Sequence, residues 1–250
     1  MTLISALSVS VLAQSPSVED LNQSKLLATT DLKGMVYHVQ GIDFDEQHVW
    51  VTSVDATNQK GYLHQFSPEG EFERTIEIQN GIRFHPGGLA ADSSSLWVPI
   101  AEYRANSSSI IQQRSKKTLE IEYSFNVPDH IGCVAVTPEY LIGGNWDSKE
   151  FYVWDHKGRL IRKVPSTTRT AYQDMKYEGG SIVASGPQAD GTGSIEWLRL
   201  PSFEVTRRIR AGKTDRGVSF TREGMAIHGT RLVLLPEDGP SRMFTFQLGR

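Results

Sequence analysis

An all-β, five-bladed β-propeller is the fold this sequence predicts, on three observations. A short apolar strand start recurs at Gly41, Gly88, Cys133, Asp174 and Gly224, in steps of 47, 45, 41 and 50 residues. Each recurrence opens a set of short strands punctuated by turn residues, which at this period means one sheet per repeat. No stretch carries the apolar period of a helix of useful length.

The chain opens with an apolar and small-residue run, Leu3 to Ala13, which ends Val11-Leu12-Ala13 before Gln14-Ser15-Pro16. That is the pattern of a secretory leader and its cleavage site, too short to span a bilayer, although its basic n-region is missing because the first Lys or Arg is Lys25. The expected division is therefore a leader at 1–13, a polar linker at 14–23 and one propeller domain at 24–250, in a secreted or periplasmic protein.

The first repeat reads as strands at 41–44, 49–54, 62–66 and 72–78, with Ser67-Pro68-Glu69-Gly70 as a turn. The second reads as 89–91, 96–100, 109–113 and 119–125. The third reads as 134–136, 140–143, 150–154 and 160–164, and the fourth as 175–177, 182–185, 194–198 and 204–209. The fifth has only three strands, 225–227, 232–235 and 242–248. Lys25 to Thr30 is a strand with no hairpin partner beside it, so it is expected to complete the last blade, closing the ring and removing two sheet edges.

Composition narrows the function classes. The 250 residues carry a net charge of −3 with 38% hydrophobic and 22% charged residues, ordinary for a globular domain. No basic stripe points to nucleic acid, no segment is a membrane span, and a monomer is expected. The single cysteine, Cys133, excludes an intrachain disulfide and sits where a small buried hydrophobe belongs.

In a blade, the loop entering the first strand and the loop leaving the second open on one face, where ligands sit over the axis. Three residues before the register position stand His38, His85, His130, Ala171 and Thr221; one residue before it stand Gln40, Gly87, Gly132, Gln173 and Glu223. The second-strand exits add Asp55, Glu102, Asn145, Asp147, Glu237 and Asp238. Three imidazoles and a carboxylate, His38, His85, His130 and Glu223, form a donor set suited to a divalent metal. The same groups suit acid–base chemistry, with Glu223 and His130 as catalytic candidates. His38, Gln40, His85, Asn145 and Gln173 are the candidate ligand contacts. The competing reading makes each histidine a strand cap bonded to a neighbouring blade. His48, His64, His156 and His228 fall in turns and outer strands as surface or packing residues, and Trp50, Trp97, Trp154 and Trp197 are expected between blades.

Glu223-Gly224-Met225-Ala226, with Leu232 to Leu235 and Glu237-Asp238-Gly239-Pro240-Ser241-Arg242, resembles a blade of uncharacterised secreted β-propeller families and, more distantly, of phytase-like and gluconolactonase-like propellers. Gluconolactonase-like enzymes hold a metal at the axis with carboxylate and Asn ligands. The resemblance implies such roles for Glu223 and Asn145 alone, and the histidine level departs from it. The function expected is binding of a small polar ligand at an axial pocket, with or without a metal, by a hydrolase or isomerase. The alternative is a non-catalytic propeller that docks a protein or cell-envelope polymer. Perturbed histidines beneath an open pocket favour the first, and a plugged channel with an exposed aromatic patch elsewhere favours the second.

Overall fold

Residues 17–249 are described by a computed structural model; the leader reading at 1–13 and the first residues of the linker lie outside them. Two strands precede the first repeat, β1 (Ser17–Asp20) and β2 (Lys25–Asp31). Blade one is β3 (His38–Phe44), β4 (Val49–Asp55), β5 (Lys60–Phe66) and β6 (Phe72–Glu77). Blade two is β7 (Arg83–Pro86) with β8 (Ala90–Ala91), then β9 (Ser95–Glu102), β10 (Ser109–Ser115) and β11 (Ile121–Val127). Blade three is β12 (Ile131–Val136), β13 (Leu141–Asn145), β14 (Glu150–Trp154) and β15 (Leu160–Pro165). Blade four is β16 (Asp174–Glu178), β17 (Ser181–Pro187), β18 (Gly193–Arg199) and β19 (Glu204–Arg210). Blade five is β20 (Glu223–His228), β21 (Arg231–Pro236) and β22 (Arg242–Gln247), completed by β2. The fold is the five-bladed propeller, and β2 runs antiparallel to β22 from Lys25 opposite Gln247 to Asp31 opposite Arg242.

The inner strands are apolar on both faces because each serves two neighbours. Successive side chains of a strand point to opposite sides. In β20, Met225 and Ile227 therefore pack with Val183 and Ile195 of blade four, while Ala226 packs with Val39 and Ile42 of blade one. The outer strand β6 shows the same period half-solvated, with Arg74 and Ile76 partly covered between exposed neighbours. Trp50, Trp97 and Trp154 are buried at blade interfaces and Trp197 packs partly covered against blade five, where the sequence put them.

Two departures have local causes. Part of the linker, Ser17–Asp20, is a strand, lying parallel to β19 as a fifth strand of blade four. Glu19 grips Arg207 at 2.7 and 2.8 Å, and Leu21 beside it is buried in the core between blades four and five. The inner strand of blade two is broken between Pro86 and Ala90, because Gly88 turns its backbone onto blade three, bonding the Gly132 carbonyl at 2.9 Å. Glycine is required there: a Cβ on Gly87 would lie 1.9 Å from that same carbonyl oxygen.

A buried ion pair ties the inner strands of four blades together across the axis. Asp174 and Lys176 sit at i and i+2 of β16 and so point the same way. The Asp174 carboxylate accepts the backbone N–H of Ile42 at 3.0 Å and of Met225 at 3.1 Å, linking blade four to blades one and five. The Lys176 ammonium bonds Asp174 at 2.5 Å and the Leu89 carbonyl of blade two at 2.7 Å. No helix long and apolar enough to cross a membrane occurs among the described residues.

Candidate functional site at one end of the axis

The loops on the face above this ion pair bring the candidate residues into two groups. The first is His38, Glu223 and Glu237, whose ligating atoms lie within 4.8 Å of one another. His38 opens β3 and Glu223 opens β20. Glu237 follows β21 and reaches them because Glu223 pairs with Pro236 in the ladder. The Glu237 carboxylate contacts Nδ1 of His38 and is flanked by the Arg222 guanidinium at 3.2 Å. On the other side of the ring, Nε2 of His38 stands 3.9 Å from Oε1 of Glu223.

Glu223 has three unusual properties. Its φ of 98° lies in the left-handed region that residues with a Cβ rarely occupy. Among the described residues its carboxyl has no hydrogen-bond partner. Burial pushes its pKa up to about 8, and the Glu237 charge adds to the shift while Arg222 opposes it. A carboxyl so placed is protonated at neutral pH and has an O–H to give.

The second group is His85, His130 and the aromatic rings around them. His85 shares a hydrogen bond with Oε1 of Gln40 at 3.0 Å through Nε2, which leaves Nδ1 as an acceptor, buried and without a partner. Burial, with help from His130 and His38, holds His85 down at about 3, so its ring is neutral. His130 contacts the Arg104 carbonyl at 2.9 Å and Ser107 Oγ at 3.2 Å through Nδ1, and burial lowers its pKa too. The two rings are 5.5 Å apart, with Tyr103 edge-on to His85 and Trp146 edge-on to His130.

The four metal donors expected from the sequence are thus not one cluster. His38 and Glu223 converge with Glu237, whereas His85 bonds Gln40 of blade one and His130 bonds the 103–108 loop of blade two. His130 is closest to the capping role. Asn145 has both polar ends engaged, accepting from Glu150 N at 2.8 Å and donating to Asp129 at 3.1 Å. Gln173 donates to the Ala171 carbonyl at 3.2 Å. Glu237 stood among the acidic exits without being singled out; the strand register that pairs Glu223 with Pro236 is the signal that would have found it. Cys133 is fully buried and its thiol is pushed up to about 12, the inert behaviour expected. His64 is buried between Ser53 and Thr75, a packing residue.

Residues 53–173 match the model of a family of unknown function, DUF6454. No curated protein matches the chain. Among solved structures, a glutaminyl cyclase from Myxococcus xanthus is similar with a TM-score of 0.70 at 14% identity, over 94% of this chain and 100% of that one. A protein of unknown function from Bacteroides caccae is similar with a TM-score of 0.53 at 12% identity, over 81% of this chain and 71% of that one. At these identities the likeness is one of fold. Neither neighbour supports the resemblance to phytase-like or gluconolactonase-like propellers.

Proposed function

We propose that this chain is an exported, monomeric propeller that binds a small polar ligand over one end of its axis and exchanges a proton with it through Glu223, as a hydrolase or isomerase does. The observation that carries this reading is the Glu223 carboxyl: buried, poised as the neutral acid, held on strained backbone and left without a protein hydrogen-bond partner. Strain and a raised carboxyl pKa are costs that a purely structural residue has no reason to bear. Glu237 accepts the Nδ1–H of His38, which fixes the tautomer and leaves the Nε2 lone pair towards Glu223. Glu223 then serves as the acid that protonates a leaving or carbonyl oxygen, while His38 Nε2 takes the proton released by the attacking water or hydroxyl and afterwards returns it to the Glu223 carboxylate.

The same three groups fit a divalent cation, with one imidazole nitrogen and two carboxylates as donors. Binding it requires Glu223 to give up its proton, so metal affinity would rise steeply with pH.

The fold likeness to a glutaminyl cyclase makes glutaminyl peptides the first substrates to assay, with small esters and lactones beside them. Glu223→Gln keeps the shape and removes the acid. Loss of turnover by roughly 10²-fold or more, with an unchanged fold, supports the reading. Full turnover in that variant sinks it.

A second reading, docking of a protein or envelope polymer, is favoured by the ion pair set across the axis and by apolar side chains exposed on the same face, Met35 at 71%, Ile82 at 70% and Tyr103 at 47%. Alanine at Met35 and Ile82 would then abolish binding, while Glu223→Gln would not.

A further inference from the structure

The histidine level is interrupted in blade four, where the repeat carries Ala171 in place of the histidines of blades one to three. A cavity of about 470 Å³ opens at that position between blades three and four, lined by Asp147, Lys149, Ser166, Thr168, Arg169 and Gln188 among others. We infer that this cavity is an anion-binding site, built to take a carboxylate or phosphate group against Arg169.

Four observations converge on it. The first is the charge on its walls. Asp147 stands 3.5 Å from the ammonium of Lys149 and so offsets that cation. Arg169 makes no ion pair or hydrogen bond to any described residue and is left as the surplus positive charge. A guanidinium presents a planar fork of donors that fits carboxylate and phosphate oxygens alike.

The second is the supply of neutral donors. Ser166 and Thr168 line the same wall as Arg169, and their hydroxyls can add hydrogen bonds to an anion's remaining oxygens. The third is backbone strain at the rim. Asp147 and Ser148 both occupy the left-handed region, at φ 59° and 50°, in the short 3-10 turn that ends blade three's second strand.

The fourth is a rigid base. Thr170 and Tyr172 both bond the buried Glu196 carboxylate, which also takes Ser194 and Arg208. Gln188, on the opposite wall, donates to Thr170 at 3.3 Å. With Thr168 also accepting from the Tyr172 hydroxyl at 3.3 Å, the backbone that carries Arg169 is anchored on either side of it. The site stands independently of Glu223, since none of its residues belongs to the first group.

The test uses the full chain with two probes, inorganic phosphate and acetate, titrated by calorimetry and by thermal shift at low salt. Wild type should bind at least one probe saturably. Arg169→Ala should weaken it by roughly tenfold or more, and Arg169→Lys, which keeps the charge but loses the fork, should fall between. Ala171→Leu, which narrows the cavity with every charge kept, should also weaken binding. Lys157→Ala, at a turn in blade three away from the cavity, and Glu223→Gln should both bind like wild type. Glu223→Gln also separates this inference from the acid–base reading, because that reading can fail while the anion still binds. The inference is overturned if neither probe saturates wild type, if Arg169→Ala binds as wild type does, or if Lys157→Ala weakens binding as much as Arg169→Ala. Should Ala171→Leu fail to fold, the arginine series with native melting curves decides the question.

Discussion

Replacing Glu223 by Gln should make the protein more stable, and increasingly so as the pH rises. In the folded chain the carboxyl titrates at about 8, against an ordinary value of 4.5. The folded state therefore holds a proton that the unfolded chain has released between those two values, and wild-type stability falls as pH climbs through that window. At ~1.4 kcal/mol per pH unit, carrying Glu223 costs about 1 kcal/mol at pH 5, about 3 at pH 7 and close to 5 above pH 8. Glutamine does not titrate, so the variant escapes this cost. Asp174, whose carboxyl burial pushes above the usual range, is common to both proteins and largely cancels in the difference. Urea melts of wild type and variant at pH 5, 6, 7 and 8 give that difference directly. It should widen by about 2 kcal/mol between pH 5 and pH 7. A gap that stays flat across the series, or that narrows, would refute the reasoning, since it would mean that Glu223 is ionised and compensated in the folded protein.

Three further outcomes are expected. Asp174→Ala leaves the Lys176 ammonium buried without its partner and two backbone N–H groups unbonded, so it should cost about 3–5 kcal/mol or more; a loss below about 1 kcal/mol in a denaturant melt would show that the axial ion pair is not a rivet between blades. Deleting residues 1–23 removes β1 and the buried Leu21 and should cost about 2–3 kcal/mol, whereas deleting 1–31 also strips β2 from the last blade and should approach the whole stability margin of ~5–15 kcal/mol; equal melting temperatures for the two truncations would contradict ring closure by β2. The chain recovered from its native host should begin near Gln14, and mass spectrometry showing residues 3–13 retained in a cytoplasmic protein would rule out export.

The propeller was legible because its signal is redundant. Period-2 apolar runs, turn residues such as Ser67-Pro68-Glu69-Gly70 and a spacing near 45 all say the same thing, and counting edges was enough to assign Lys25 to Thr30 to the last blade. Strand β1 was illegible for the opposite reason. Ser-Val-Glu-Asp has no apolar period, and what holds it, the parallel ladder to β19 and the ion pair to Arg207 with Leu21 buried beside them, lies nearly 190 residues along the chain. The site was legible as a level but not as contacts. Repeat spacing put His38, His85 and His130 at one height, yet which of them meet a carboxylate depends on loop paths that differ from blade to blade. Glu237 reaches His38 across the joint between the last and first blades, while the 103–108 loop of blade two brings the Arg104 carbonyl to His130 at the entry to blade three. The Asp174–Lys176 pair was hidden in plain alternation: the strand was read correctly, and only burial on the axis shows that its two charged members face each other.

His38, Glu223 and Glu237 are proposed to hold a small polar ligand. Equilibrium dialysis of the purified chain against the small-molecule extract of its native host, read by mass spectrometry, tests this most directly when wild type is run beside His38→Ala and Glu223→Gln. At least one polar compound should be enriched by wild type and lost or sharply reduced in both variants. A compound enriched equally by all three proteins, or none enriched by wild type, would contradict the proposal.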